Sequence, residues 1–168
     1  AIGFPMLTLL FAAALFLGGV CALLVVYQAQ AKRQPIAYNH KKHIDAGLEC
    51  STCHAGIAEA NARARLPEID VCLNCHASDD NPKTKPIRDY AEKGLPIPWR
   101  RVYRLADHVY FSHRRHAGSA GLDCSVCHGN MKEKETPVTR RAVPISMSRC
   151  VDCHRAKGVT TDCLACHR

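Results

Sequence analysis

Ten of the eleven cysteines fall in five pairs with two residues between them, and a histidine directly follows each pair. These are Cys50-Ser-Thr-Cys53-His54, Cys72-Leu-Asn-Cys75-His76, Cys124-Ser-Val-Cys127-His128, Cys150-Val-Asp-Cys153-His154 and Cys163-Leu-Ala-Cys166-His167. Two thiols at this spacing can add to the two vinyl groups of one porphyrin. The next residue then lies under the iron and offers an imidazole as proximal ligand, so C-x-x-C-H is the attachment signature of haem c. With ten histidines in 168 residues, a histidine after all five pairs by chance is on the order of one in a million. Zinc sites use two C-x-x-C pairs per ion and need no histidine after each. A disulfide framework gives the histidines no reason at all. Five haems c are the expectation.

Five histidines remain outside those motifs: His40, His43, His108, His113 and His116. That is one per iron, so each iron is expected to be bis-histidine and low-spin. Four of them stand as H-x-x-H, in Asn39-His40-Lys41-Lys42-His43 and Ser112-His113-Arg114-Arg115-His116. Residues three apart share one helix face, so one short segment can offer imidazoles to two neighbouring porphyrins. His108 is assigned by elimination, and Met131 and Met147 are the competing axial ligands. The short spacers pair His40 with the Cys50/Cys53 haem and His113 with the Cys124/Cys127 haem. His43, His108 and His116 then serve the Cys72, Cys150 and Cys163 haems in an order left open. A catalytic multihaem reductase needs an open iron position, typically with a Lys ligand, and no C-x-x-C-K motif is present, so no catalytic residue is expected.

Residues 1–31 hold no charged side chain, and the first charge is Lys32. The apolar run from Ile2 to Tyr27 has the length of a membrane-crossing helix. Ala29-Gln30-Ala31 has the A-x-A form of a signal-peptidase site, but signal peptide apolar cores are shorter than this run. Residues 1–31 are therefore expected to remain as an anchor. Lys32 and Arg33 follow the run, against the positive-inside tendency. Haem attachment on the outer side of the bacterial inner membrane nonetheless places the rest of the chain in the periplasm. Cys21 lacks a good lipobox and is expected to be a buried free thiol.

The remainder is basic and poor in large aliphatic residues, too poor to build an ordinary core without a cofactor filling it. The whole chain carries a formal charge of +8. Five ferric haems with two propionates each lower this to about +3. Lysines and arginines then serve as propionate partners and a mild steering field, not as a nucleic-acid surface. An internal repeat relates Tyr38-Asn-His40 to His43 and Gly47-Leu-Glu-Cys50 with Phe111-Ser-His113 to His116 and Gly121-Leu-Asp-Cys124, with one extra residue in the second spacer. Four domains follow: an anchor (1–31), a dihaem half (32–80), a Pro-rich linker or docking segment (81–106) and a trihaem half (107–168). Ile57–Leu66 reads as one short helix. Trp99 to Leu105 reads as a strand or loop over a haem edge.

H-x-x-H segments ahead of C-x-x-C-H motifs, with a histidine for every haem, resemble class III multihaem cytochromes c. That resemblance implies a mostly irregular, small-α domain with little regular secondary structure, here behind one N-terminal transmembrane helix. The run from Pro98-Trp99 through Tyr103, Asp107-His108, Tyr110 and Phe111 to His113, with the anchor and five motifs, is similar to the pentahaem subunit of alternative complex III. This implies an electron-carrying subunit of a membrane quinol oxidoreductase, fed by a low-potential quinol such as menaquinol. Its implied partners are membrane and iron–sulfur subunits, a monohaem cytochrome c as acceptor, and lipid. A related quinone reductase complex has a similar anchored cytochrome with six haems, so the motif count favours the former. Two alternatives are a free-standing anchored quinol dehydrogenase and an anchored donor to a periplasmic reductase. The tetrahaem quinol dehydrogenases carry a Met shortly after one motif, where this chain has His54-Ala-Gly-Ile.

Overall fold

The computed structural model describes residues 4–31, 33–57, 64–78 and 80–167. The chain divides into two compact units, residues 1–33 and 34–168.

The first unit is a single helix, α1 (Phe4–Ala31). Its stretch Thr8–Gln28 has a mean hydropathy of 2.8 and is wholly unburied by protein. At 1.5 Å per residue those 21 residues reach about 32 Å, the thickness of a hydrocarbon layer. Leu9, Phe11, Phe16, Leu23 and Tyr27 all point away from any protein packing. A helix apolar on every side needs lipid or a neighbouring helix around it.

The second unit is built of short helices joined by loops: α2 (His40–Asp45), α3 (Cys50–Cys53), α4 (Ile69–His76) and α5 (Lys85–Glu92), then a π-helix (Arg114–Ser119). After it come α6 (Ser125–His128), a 3₁₀ turn (Met131–Glu133), α7 (Met147–Ala156) and α8 (Cys163–Cys166). Among the described residues there is no β-strand, only one isolated antiparallel bridge between Val109 and His167. This matches the fold class expected from the sequence. The expected helix at 57–66 lies largely outside the described residues.

Why the elements are so short follows from composition. Among the described residues only Ile36, Ile87 and Ile97 are buried apolar side chains, with Ile69, Cys72, Leu73, Tyr90 and Trp99 packed around them. Three isoleucines cannot order a domain of this size. Loops are instead pinned by side chains reaching backbone groups. Gln34 accepts from the Arg100 amide at 3.0 Å and donates to the carbonyls of Arg100 and Val138 at 2.9 and 2.8 Å. The Trp99 indole donates to the Pro67 carbonyl at 2.9 Å, and the Arg141 guanidinium donates to the Arg104 carbonyl at 2.9 Å. The Trp99–Leu105 stretch is accordingly a loop held from both sides, not a strand.

The isoleucine cluster can be tested. Replacing Ile87 with alanine removes a third of its buried centre and is expected to cost about 2–5 kcal/mol. The denaturant midpoint of the detergent-solubilised chain should fall accordingly, whereas Leu95→Ala, on an exposed side chain, should leave it within about 0.5 kcal/mol.

Candidate haem-binding sites

Each C-x-x-C-H segment is helical, as one short turn in the motifs at Cys50, Cys124 and Cys163 and within the longer helices α4 and α7 in those at Cys72 and Cys150. The amides of His54, His128 and His167 donate to the carbonyls of Cys50, Cys124 and Cys163 at 2.9, 2.9 and 2.8 Å. One turn puts the first cysteine, the second cysteine and the histidine on adjoining parts of one face. That is the geometry needed for two thioethers and a proximal imidazole on one porphyrin. None of the eleven cysteines is paired in a disulfide. Burial is the first cause that raises the thiol pKa of Cys72, Cys124 and Cys150, with nearby cysteines next.

The repeat has a physical reason in each copy. Asn39 caps α2, its side chain accepting from the Lys42 amide at 2.9 Å. Ser112 does the same for the Arg115 amide at 3.4 Å. The carbonyls of these same two residues receive Nδ1 of the second histidine in each pair, His43 and His116, at 2.8 Å. The aromatic residue before each cap then packs on both rings. Tyr38 stacks on His43 at 4.4 Å and meets His40 edge-on at 4.7 Å. Phe111 stacks on His116 at 4.5 Å and meets His113 edge-on at 4.8 Å. Gly47 and Gly121, at φ +85° and +61°, turn the chain toward the following motif in the left-handed region that suits glycine. The extra residue of the second spacer is absorbed by the π-helix, where the Ala120 amide donates to the Arg115 carbonyl at 3.0 Å. A π-helix holds one more residue per turn than an α-helix. The Leu48 and Leu122 amides therefore still close on the carbonyls of His43 and His116, each at 3.0 Å.

The remaining histidines meet the motif histidines in pairs. Ring centres lie 6.2 Å apart for His43 and His76, 6.3 Å for His113 and His128, and 6.1 Å for His116 and His154. His108 and His167 are closer, at 5.5 Å. His40 neighbours His54, which, after burial, is the largest influence holding its pKa down to about 4. Met147 is exposed, and Met131 lies in the 3₁₀ turn.

Do these residues fit haem iron? Two imidazoles on one iron, each bonded at about 2.0 Å with its ring centre about 1.1 Å further out, have centres roughly 6.2 Å apart. Three pairs have that separation. A carbonyl can only accept, so the Nδ1 atoms of His43, His54, His116 and His154 must carry the proton toward Asn39, Arg65, Ser112 and Thr160. Nε2 is then left unprotonated, as a metal ligand requires. Burial, ahead of neighbouring histidines, also depresses the pKa of His113 and His128 and keeps those rings neutral. Nδ1 of His40 is buried without a hydrogen-bond partner, a cost of about 1–3 kcal/mol that only ligation through this nitrogen, and not through Nε2, would remove. Among the described residues no three His, Cys, Asp or Glu side chains converge as a bare metal site. The arrangement is one of opposed pairs.

Sequence reasoning did not find the groups that orient the rings. Asn39 and Ser112 were visible as the small polar residue of the repeat. The carbonyls of Arg65 and Thr160 carry no sequence signal, since every residue has one. Tyr103, which packs on His128 at 4.5 Å and accepts the Ala142 amide at 3.0 Å, could be suspected only from the aromatic run around it.

Two family descriptions match different parts of the chain: class III cytochrome c over residues 23–94, and cytochrome c7 and related cytochrome c over residues 109–168. The multihaem cytochrome c subunit of menaquinone reductase from Nitratidesulfovibrio vulgaris (strain Hildenborough) is 28% identical over 194 aligned positions, which cover 94% of this chain and 90% of that protein. With the attachment motifs and the fold, these matches make the chain a multihaem cytochrome c for electron transport, with one N-terminal apolar helix and a class III-like domain of little regular secondary structure.

Proposed function

We propose that the chain carries five haems c, each iron held between two histidines, and serves as the electron-relaying subunit of a membrane quinol oxidoreductase resembling alternative complex III. The observation that carries this reading is the pairing of four of the five motif histidines, ring against ring, with a second histidine. The cysteines of each motif attach one porphyrin, and His54, His76, His128, His154 and His167 are the proximal ligands. His40, His43, His113, His116 and His108 are the distal ones, in that order for the first, second, third, fourth and fifth motifs. When bound, each haem supplies a one-electron iron couple, so the two electrons of one quinol occupy two haems while its two protons leave to solvent. The protein's part is to keep the imidazoles neutral, to fix their planes through Nδ1–carbonyl bonds, and to bring the motifs close together. Bis-histidine ligation favours lower potentials than Met/His ligation, which suits menaquinol as donor.

Residues 1–31 anchor the chain in the inner membrane, with a dihaem half (32–80), a linker or docking segment (81–106) and a trihaem half (107–168) on the periplasmic side. Membrane and iron–sulfur subunits are the proposed partners on the quinol side, and a monohaem cytochrome c or similar protein is the acceptor. A second reading runs the electrons the other way, into menaquinone. It is favoured by the similarity to a menaquinone reductase subunit. Mixing the purified complex with a menaquinol analogue separates the two: rapid haem reduction supports quinol oxidation, and haems that are only reoxidised by the quinone support the reverse direction.

Three outcomes are expected. A pyridine haemochrome assay should give five haems per chain, and four or fewer overturns the one-haem-per-motif reading. Washing membranes with alkaline carbonate should leave the cytochrome in the pellet, whereas release shows that residues 1–31 do not anchor it. The oxidised protein should show low-spin EPR signals only. The planes of His43 and His76 cross at 68°, while those of His113 and His128 lie at 11° and of His108 and His167 at 25°. Near-parallel planes split the iron d orbitals, and crossed planes leave them almost equal in energy. The haem on Cys72 and Cys75 should therefore give a more anisotropic signal than those on Cys124/Cys127 and Cys163/Cys166. A substantial high-spin signal would remove the ten-histidine accounting.

A further inference from the structure

The plane of an imidazole is poorly fixed by its own side chain, because rotation about its Cβ–Cγ bond is broad and roughly two-fold. A hydrogen bond or a packed neighbour must hold it. For His54 and His154 that bond runs between Nδ1 and the carbonyls of Arg65 and Thr160. Beside His128 stands a phenol. The Tyr103 ring lies 4.5 Å from the His128 ring and is inclined at 67° to it, the edge-to-face arrangement that aromatic pairs prefer.

Tyr103 is itself held at both ends. The Arg141 guanidinium donates to the Val102 carbonyl at 3.3 Å and to the Arg104 carbonyl at 2.9 Å, so one side chain grips the backbone on either side of residue 103. At the tip of the ring, the hydroxyl donates to the His128 carbonyl at 3.3 Å. It accepts from the Ala142 amide at 3.0 Å and the Val143 amide at 3.5 Å. A hydroxyl has one proton to give and two lone pairs to receive, and all three are engaged. Gly129 makes this approach possible. Its φ is +72°, and a Cβ there would come within 3.0 Å of the Ala142 Cβ.

His113 faces His128 with the two planes only 11° apart, and Phe111 meets His113 edge-on at 4.8 Å. An aromatic edge therefore stands beside each member of this pair. Phe111 belongs to the internal repeat, with Tyr38 as its counterpart. Tyr103 does not. The residue eight positions before Tyr38 is Gln30, inside α1, so the contact on His128 has no equivalent in the first half.

We infer that Tyr103 is a positioning residue for the third haem: its ring holds the His128 imidazole nearly parallel to that of His113 and so sets the orbital splitting of the iron between them. This rests on the proposal that the haem on Cys124 and Cys127 is ligated by those two histidines. The hydroxyl has a separate task, tying the turn after that motif to residues 142–143. Ring and hydroxyl can be removed one at a time, which separates positioning from the stapling of a loop.

The test is EPR of the oxidised intact chain in detergent, with the haem count confirmed in every variant. The third haem's low-spin signal is first identified as the one lost in His113→Met. Tyr103→Phe keeps the ring and should leave that signal in place while the thermal midpoint falls. Tyr103→Leu removes the ring and should move the signal to a larger maximum g value, toward that of the haem on Cys72 and Cys75. The signal of the haem on Cys163 and Cys166 should stay fixed. Should the Leu variant fail to mature, Tyr103→Gln, which lacks the ring but keeps polar atoms for the backbone, should give the same shift. An unmoved signal in a ringless variant overturns the inference and leaves Tyr103 a loop staple. A shift as large in Tyr103→Phe as in Tyr103→Leu overturns it too, by assigning the plane to the hydroxyl's backbone ties. Both results leave the proposed function standing. A wild-type third haem that is high-spin, or missing from the count, overturns the proposed ligand set and this inference together.

Discussion

An imidazole binds a metal only through a nitrogen that carries no proton, and on the proposed bis-histidine reading this requirement organises the described part of residues 34–168. Both ring nitrogens cannot be left to chance. In four of the ten histidines a backbone carbonyl takes the Nδ1 proton, at 2.6–3.0 Å, which commits Nε2 to the other side of the ring. In others, burial makes the charged form costly. The loops that deliver those carbonyls, the caps at Asn39 and Ser112, and the aromatic rings of Tyr38 and Phe111 all serve to aim imidazoles at one another across a gap of about one metal ion.

That arrangement also explains how so small an apolar complement supports a fold. Three buried isoleucines supply only a few kcal/mol of hydrophobic stabilisation. If each motif carries its proposed haem, five porphyrins attached through ten thioethers would add large apolar faces held in place covalently. Secondary structure is then free to be minimal. The motif helices α3 and α8 need to last only one turn, long enough to set two cysteines and a histidine. Loops such as Trp99–Leu105 are held by Gln34, Arg141 and Tyr103, with no sheet among the described residues to hold them.

The two halves of the domain solve the same problem with different backbones. One inserted residue between His116 and Gly121 would rotate the following motif by about 100° if it extended an α-helix. The π-helix at Arg114–Ser119 takes it up instead, and the stacking of Phe111 on His116 repeats that of Tyr38 on His43 to within 0.1 Å and 3°. The second member of each H-x-x-H is the one stacked and tied, while the first meets the aromatic ring at its edge.

Much of this was legible in the primary structure, because covalent haem attachment and metal ligation demand particular residue types at particular spacings. The ten motif cysteines, the ten histidines, the apolar span at Thr8–Gln28 and the scarcity of regular structure all follow from local chemistry. The repeat exposed which residues act together, including Asn39 and Ser112. Other features depend on how distant segments meet, and spacing does not determine that. Pairing His43 with His76, His116 with His154 and His108 with His167 required the folded chain, since the sequence shows five histidines outside the motifs but not their partners. The Arg65 and Thr160 carbonyls are invisible in sequence because a backbone group has no letter of its own. Packing of α2 on the 3₁₀ turn at Met131–Glu133 likewise joins segments some ninety positions apart. Residue chemistry decided which side chains could hold a cofactor; only tertiary packing decided which histidine faces which.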